Sequence, residues 1–142
     1  MKHYSVRQNI VLVGCGRIAL KHTESLHRLG MLAGVFDIDQ EKSRELANKF
    51  NVHQYQSVQE IIDDTAVNTV SICTPSGNHF STSMQFLQAG FNVVVEKPMA
   101  LRSYDAKQMI KLAQDKKLML FVVKQNRFNA AIGRLREAFE KN

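Results

Sequence analysis

Five short, mainly apolar runs recur along the chain, at residues 10–13, 32–36, 67–73, 92–95 and 118–123, with a weaker one at 52–55. Runs of this length, without the alternation of a strand wetted on one face, read as strands buried on both faces, the mark of a parallel sheet. Helical stripes lie between them: Ile18, His22, Leu26 and Leu29; Leu46, Ala47 and Phe50; Phe80, Met84 and Leu87; Ala106, Met109, Ile110 and Ala113. Ser57 and Glu60 form a capping box for a short helix carrying Ile61 and Ile62, and Gly30 and Gly90 stand where helices should end. A last stripe, Ile132, Leu135 and Phe139, follows the candidate cap Asn129. The alternation predicts an α/β fold, a doubly wound parallel sheet with right-handed crossovers. Residues 1–125 are expected to form this domain, and 126–142 a crossover helix leading out of it.

Several classes are set aside. The 142 residues suffice for one well-cored domain. No apolar run is long enough to span a bilayer, and Met1 to Gln8 lack the apolar core of a signal peptide. Cys15 and Cys73 have no metal-ligand spacing and read as reduced, buried thiols, so no metal is expected and a cytoplasmic location is. The formal net charge of +6 is spread along the chain. That balance fits an anionic ligand; without basic–aromatic interleaving, a zinc signature or a helix-turn-helix, nucleic acid is not expected.

The anionic ligand has a candidate seat. Gly14-Cys15-Gly16-Arg17-Ile18-Ala19 fits G-x-G-x-x-(G/A), follows the first strand run and opens the first helical stripe. In that context Gly14 permits a tight turn, Gly16 lets the backbone approach a pyrophosphate, and Ala19 lets helix and strand pack closely. The helix N-terminus offers N–H donors to phosphate, so Arg17 and Ile18 are candidate contacts. Asp37 ends the second run, 21 positions past Gly16. A carboxylate there accepts from the adenosine ribose hydroxyls and repels a 2′-phosphate, which predicts NAD over NADP. The alternative is that Asp37 begins a turn, with Asp39 as N-cap. Lys21 and Arg28 read as a solvated face, Arg17 as either that or a phosphate contact, and His22 as a satisfied, partly buried histidine.

Three further segments fall at strand ends, where open α/β sheets bind ligands: Cys73-Thr74-Pro75-Ser76-Gly77-Asn78-His79, Val95-Glu96-Lys97-Pro98 and Lys124-Gln125-Asn126-Arg127-Phe128-Asn129. With these motifs in order, essentially the whole chain resembles the N-terminal domain of the Gfo/Idh/MocA oxidoreductases. The resemblance implies that Lys97 is catalytic: beside the nicotinamide it would hydrogen-bond the reacting hydroxyl and take or relay its proton as hydride leaves. It implies that Glu96 holds the nicotinamide ribose and that Thr74 and Pro75 line the crevice. Asn78 and His79 either join that site or cap the next helix. Gln125 and Arg127 would touch the nicotinamide, the sugar nucleotide or a further domain. Residues 122–129 are most similar to the branch that oxidises UDP-N-acetyl-glucosaminuronate at carbon 3 for lipopolysaccharide and other surface-sugar synthesis, although Ala130-Ala131 stand where that branch often has proline.

Members of this family carry a second α/β domain that supplies substrate contacts and another acid–base group. That C-terminal substrate domain is absent from these 142 residues, so the expectation is NAD binding with little turnover by the isolated chain. Apolar residues meant for that domain, among them Phe128, Ile132 and Phe139, are expected to drive self-association. Two other readings keep the fold: a non-catalytic NAD(H)-responsive module acting through a partner, and an S-adenosylmethionine site, for which Glu96-Lys97-Pro98 has no evident use.

Overall fold

The structure is a computed structural model that describes residues 9–124. Its strands are β1 (Ile10–Val13), β2 (Leu32–Phe36), β3 (His53–Gln54), β4 (Thr69–Ile72), β5 (Asn92–Val95) and β6 (Leu120–Val122). All neighbours are parallel, in the order β3-β2-β1-β4-β5-β6. The helices are α1 (Ala19–Arg28), α2 (Gln40–Phe50), α3 (Val58–Asp63), α4 (His79–Gln88) and α5 (Ser103–Asp115), with a 3-10 turn at Ser76–Asn78. The chain winds outward from β1 to β3, returns to β4 beside β1, and winds outward again. The loops leaving β1 and β4 therefore diverge, opening a crevice at the carboxyl edge of the sheet. The doubly wound parallel sheet expected from the sequence is the fold observed, with strand ends differing by one or two residues.

The two faces are packed differently. Val11, Val13, Val70, Ile72, Val93 and Val95 share a core with Phe86 and Leu87 of α4 and Met109 and Ala113 of α5. Alternate residues turn the other way, and Leu12, Val35 and Cys73 meet Ala19 of α1 and Ala47 of α2. β1 and β4 are buried along their whole length, but β5 and β6 are not: Val94 is half-buried and Phe121 is 55% exposed. Burial on both faces thus holds for the central strands only.

Two helical stripes shift from their expected positions. α1 buries Ala19 and Thr23, while Ile18, His22 and Leu26 lie half-buried and Leu29 is 64% exposed. Only small side chains fit where a helix starting at a tight loop passes closest to its strand, so the larger ones rotate to its flank. There Ile18, His22 and Leu26 border a groove of about 680 Å³ shared with Ser71, Val94 and Glu96. α4 buries a wider arc than expected, including Phe86, because it lies between the sheet and α5. Gly30 and Gly90 do follow their helices, with φ of 64° and 93°. The capping box is modified: Glu60 N donates to Ser57 Oγ, but the Glu60 carboxylate accepts from Gln56 N at 2.6 Å, one residue earlier than expected.

The expectations for Met1 to Gln8 and for 125–142 lie outside the described residues. Among those described, no helix is long and apolar enough to cross a membrane. Phe86→Ala should cost about 3–5 kcal/mol in urea unfolding. Leu29→Ala, in the stripe the sequence favoured, should cost under about 0.5 kcal/mol.

Candidate cofactor site

The two loop glycines serve different masters. Gly14 has φ 94°, its N–H donates to Phe36 O at 2.8 Å, and a Cβ on it would lie 2.7 Å from Thr74 N and 2.8 Å from the Cys73 carbonyl carbon. Its glycine is required by the protein itself. Gly16 has no such φ, and a Cβ there would meet nothing within 4 Å. None of the described residues requires glycine at this position, and the space beside it is open. α1 begins just beyond, its N-terminus uncapped by any side chain, so the positive end of its dipole faces that space. On the opposite lip, Thr74 Oγ1 is buried and makes no hydrogen bond. An orphaned hydroxyl costs about 1–3 kcal/mol unless something completes it. Open backbone at Gly16 and an uncapped helix N-terminus fit the diphosphate of a dinucleotide.

Asp37 is tied to the loop. Cys15 N donates to its Oδ2 at 2.6 Å and Asp39 N to its Oδ1 at 2.8 Å. A carboxylate oxygen accepts more than one hydrogen bond, so each keeps capacity for a ribose hydroxyl. Asp39 meanwhile caps α2 through Glu41 N, and its own carboxyl is held below the usual range by Lys42. The turn and the cofactor readings of this segment therefore coexist. Beside it Ile38 is 89% exposed, an apolar surface at the sugar position that sequence reasoning passed over. Its signal was available, since an isoleucine between two aspartates in a turn has no core to join. Arg17 is exposed and borders, with Lys42 and Lys49, a groove of about 460 Å³ between α1 and α2. Ile18 is half-buried as the residue preceding α1.

Neither cysteine is a nucleophile. Burial first, then Asp37 and Cys73, push the Cys15 thiol up to about 12. Burial first, then Glu96, push Cys73 to about 12 against a hydrogen bond with Ser71. Both thiols stay protonated at neutral pH. Among the described residues there is no group of three His, Cys, Asp or Glu that could hold a metal ion.

The end of β4 forms the second lip. Pro75 is exposed, Asn78 N donates to Pro75 O at 2.8 Å to close the 3-10 turn, and the exposed Asn78 side chain makes no capping bond to α4. His79 lies inside the wall, 1% exposed, with Nδ1 2.7 Å from Pro98 O and Nε2 2.8 Å from Thr74 O. At the end of β5 the charged residues divide. Glu96 is 5% exposed, with His22 Nε2 2.8 Å from its Oε1 and Lys97 N donating to its Oε2 at 3.1 Å. His22 Nδ1 is 3.1 Å from Ser71 Oγ. Lys97 and Pro98 are exposed, joined by a cis peptide. The structure thus gathers Gly14, Asp37 and Thr74 at the glycine loop, and Glu96, Lys97 and His79 around the β5 end. Gln125 and Arg127 lie outside the described residues.

A family model described as an oxidoreductase family with an NAD-binding Rossmann fold (GFO_IDH_MocA) matches residues 8–124. The UDP-N-acetylglucosamine 3-dehydrogenase of Acidithiobacillus ferrooxidans is 32% identical over 127 residues, covering 89% of this chain and 40% of that protein. The myo-inositol 2-dehydrogenase of Thermotoga maritima is 29% identical over 134 residues, covering 92% and 40%. The crystal structure of the WlbA dehydrogenase from Chromobacterium violaceum with NADH and UDP-GlcNAcA superposes with a TM-score of 0.88 at 37% identity, over 96% of this chain and 41% of that one. The chain spans about two-fifths of the length of these relatives.

Two outcomes check the site. Gly16→Ala should leave the melting temperature within about 2 °C while weakening NADH binding about tenfold or more, whereas Gly14→Ala should lower the melting temperature outright. Iodoacetamide at pH 8 should label Cys15 and Cys73 at least about tenfold more slowly in the folded chain than in urea, as read by mass spectrometry.

Proposed function

The chain belongs to the Gfo/Idh/MocA oxidoreductase family, as an NAD-binding Rossmann domain, and from that premise we propose that it holds NAD for hydride transfer from a hydroxyl-bearing carbon of a sugar or sugar nucleotide. The observation that carries this is an exposed lysine, Lys97, at the carboxyl end of β5, on the same edge of the sheet as the glycine loop. Carbon 3 of UDP-N-acetyl-glucosaminuronate is the preferred site of oxidation. In support, one relative is named a UDP-N-acetylglucosamine 3-dehydrogenase and a similar structure holds UDP-GlcNAcA. Lipopolysaccharide or other surface-sugar synthesis, in the cytoplasm, is the setting such a reaction implies.

When bound, the nicotinamide supplies the hydride acceptor. The chain's residues do the rest of the work on this edge. The backbone at Gly16 and the start of α1 hold the diphosphate, Asp37 accepts from the adenosine ribose, and Thr74 and Pro75 line the crevice. In its neutral amine form, its own proton first released to solvent, Lys97 Nζ accepts a hydrogen bond from the reacting hydroxyl and then takes its proton, so that the oxygen becomes a carbonyl as the C–H bond breaks. Such a step needs donor and acceptor held close and aligned. The described residues form one wall of a cleft, so the isolated chain should bind NAD with little turnover.

Titration by NADH fluorescence should give binding at least about tenfold tighter than NADPH, and Asp37→Ser should narrow that gap by removing the like charge. In a polypeptide that joins this domain to a substrate domain, UDP-N-acetyl-glucosaminuronate with NAD should generate NADH, and Lys97→Met should slow this about 10²–10⁴-fold with NADH affinity unchanged. Tighter NADPH binding, or an unaffected Lys97→Met rate, overturns the proposal.

A further inference from the structure

We infer that His22 and His79 are positioning residues for Lys97, each holding one of its two sequence neighbours from opposite faces of the sheet. The inference rests on the reading of Lys97 as the proton-accepting group, and it adds what fixes that group in place. His22 belongs to α1, on the face of Leu12 and Ala19; His79 opens α4, on the face of Phe86 and Val95. From one side His22 Nε2 meets the Glu96 carboxylate at 2.8 Å, and the other oxygen of that carboxylate accepts from Lys97 N at 3.1 Å. From the other side His79 Nδ1 meets Pro98 O at 2.7 Å. The main chain is therefore held at the Lys97 amide and again at the Pro98 carbonyl, one residue further on.

The remaining ring nitrogens extend the same clamp. His22 Nδ1 pairs with Ser71 Oγ on β4, and His79 Nε2 with Thr74 O in the loop that follows β4. All four ring nitrogens end on the strand ends that bound the crevice, and none is left for a ligand. A leucine would fill either position in an apolar setting without burying polar nitrogens, which is costly unless they are used. Their use here is local: they couple the glycine-loop helix and the Thr74 lip to one turn. For a side chain with four rotatable bonds, fixing its backbone is what makes its reach reproducible, and a misplacement of about 1 Å at a reacting group can cost about 10²-fold in rate.

The test uses the 142-residue chain with variants that separate anchoring from bulk. His22→Leu and His79→Leu remove all four contacts. His22→Gln keeps a donor at the Nε2 position for Glu96, and His79→Asn keeps one at the Nδ1 position for Pro98. Amide hydrogen exchange by NMR is read at Lys97 against Val93, Val94 and Val95 as internal controls. Lys97 carrying a ¹³C-dimethyl label, assigned through Lys97→Arg, is read with and without NADH. Exchange at the Lys97 amide should quicken about tenfold or more in the Leu variants with the β5 amides unchanged, and His22→Gln and His79→Asn should restore most of the protection. The NADH-dependent shift of the Lys97 label should shrink in the Leu variants and return in the conservative ones. If a Leu variant does not fold, the conservative variant decides alone: protection at Lys97 must then exceed that of His22→Asn or His79→Gln, which offer their donors at the wrong position. Wild-type exchange at Lys97 in every folded variant overturns the clamp. A wild-type label that ignores NADH overturns the placement of Lys97 at the nicotinamide, while the exchange data still judge the clamp.

Discussion

Gly14 stands where three strand ends converge and where no side chain can stand. Its N–H reaches Phe36 O at the end of β2, Cys73 N returns a bond of 2.7 Å to Val13 O, and the Thr74 backbone fills the space a Cβ would need. This close approach draws the β1, β2 and β4 ends to one point. It also brings the Cys15 amide onto Asp37, which is 22 residues away in sequence. The glycine loop, the Asp37 carboxylate and the Thr74 lip are thus placed by one steric fact. The cofactor edge follows from packing rather than from an added device.

Much of the architecture was legible in the sequence because apolar spacing reports local burial. Ile10, Val11, Leu12 and Val13 form an apolar run and a strand buried throughout, and Met109 and Ala113 of α5 are buried as their spacing indicated. The tight turn at Gly14 was legible for the same reason, since it is set by neighbours in the chain and by one following strand. What spacing could not show was polarity used at long range. His22 sits among Ile18 and Leu26 as though it were one more member of a stripe, yet its partners are Ser71 and Glu96, 49 and 74 residues on. His79 opens a helix, where capping is the ordinary expectation, and instead ties Thr74 to Pro98. Phe86 was missed because a helix between a sheet and another helix buries more than one stripe.

Buried polar groups divide by size. The small hydroxyls of Thr23, Ser43, Thr69, Ser71 and Ser83 are scattered over helices and β4, whereas the larger groups, His79 and Glu96, lie at the carboxyl edge of the sheet. Burial of a carboxyl group or an imidazole is unfavourable unless it is well bonded, so placing both of these at one edge marks where geometry matters more than stability.

The Glu96-Lys97 pair shows how that preference works. Adjacent opposite charges on a strand end would ordinarily both seek water, yet here the carboxylate turns inward and the ammonium outward. A buried carboxylate costs several kcal/mol unless it is well bonded. His22 and the Lys97 amide each contribute a charge-assisted hydrogen bond, of about 1.5–3 kcal/mol apiece, enough to offset much of that cost. Reversing the pair would put the mobile cation in the wall and the anchor in solvent, giving a reacting group with no reach and a turn with no tether. The order of two residues, together with a histidine one helix away, is therefore sufficient to set a fixed backbone beneath a side chain that still has room to move.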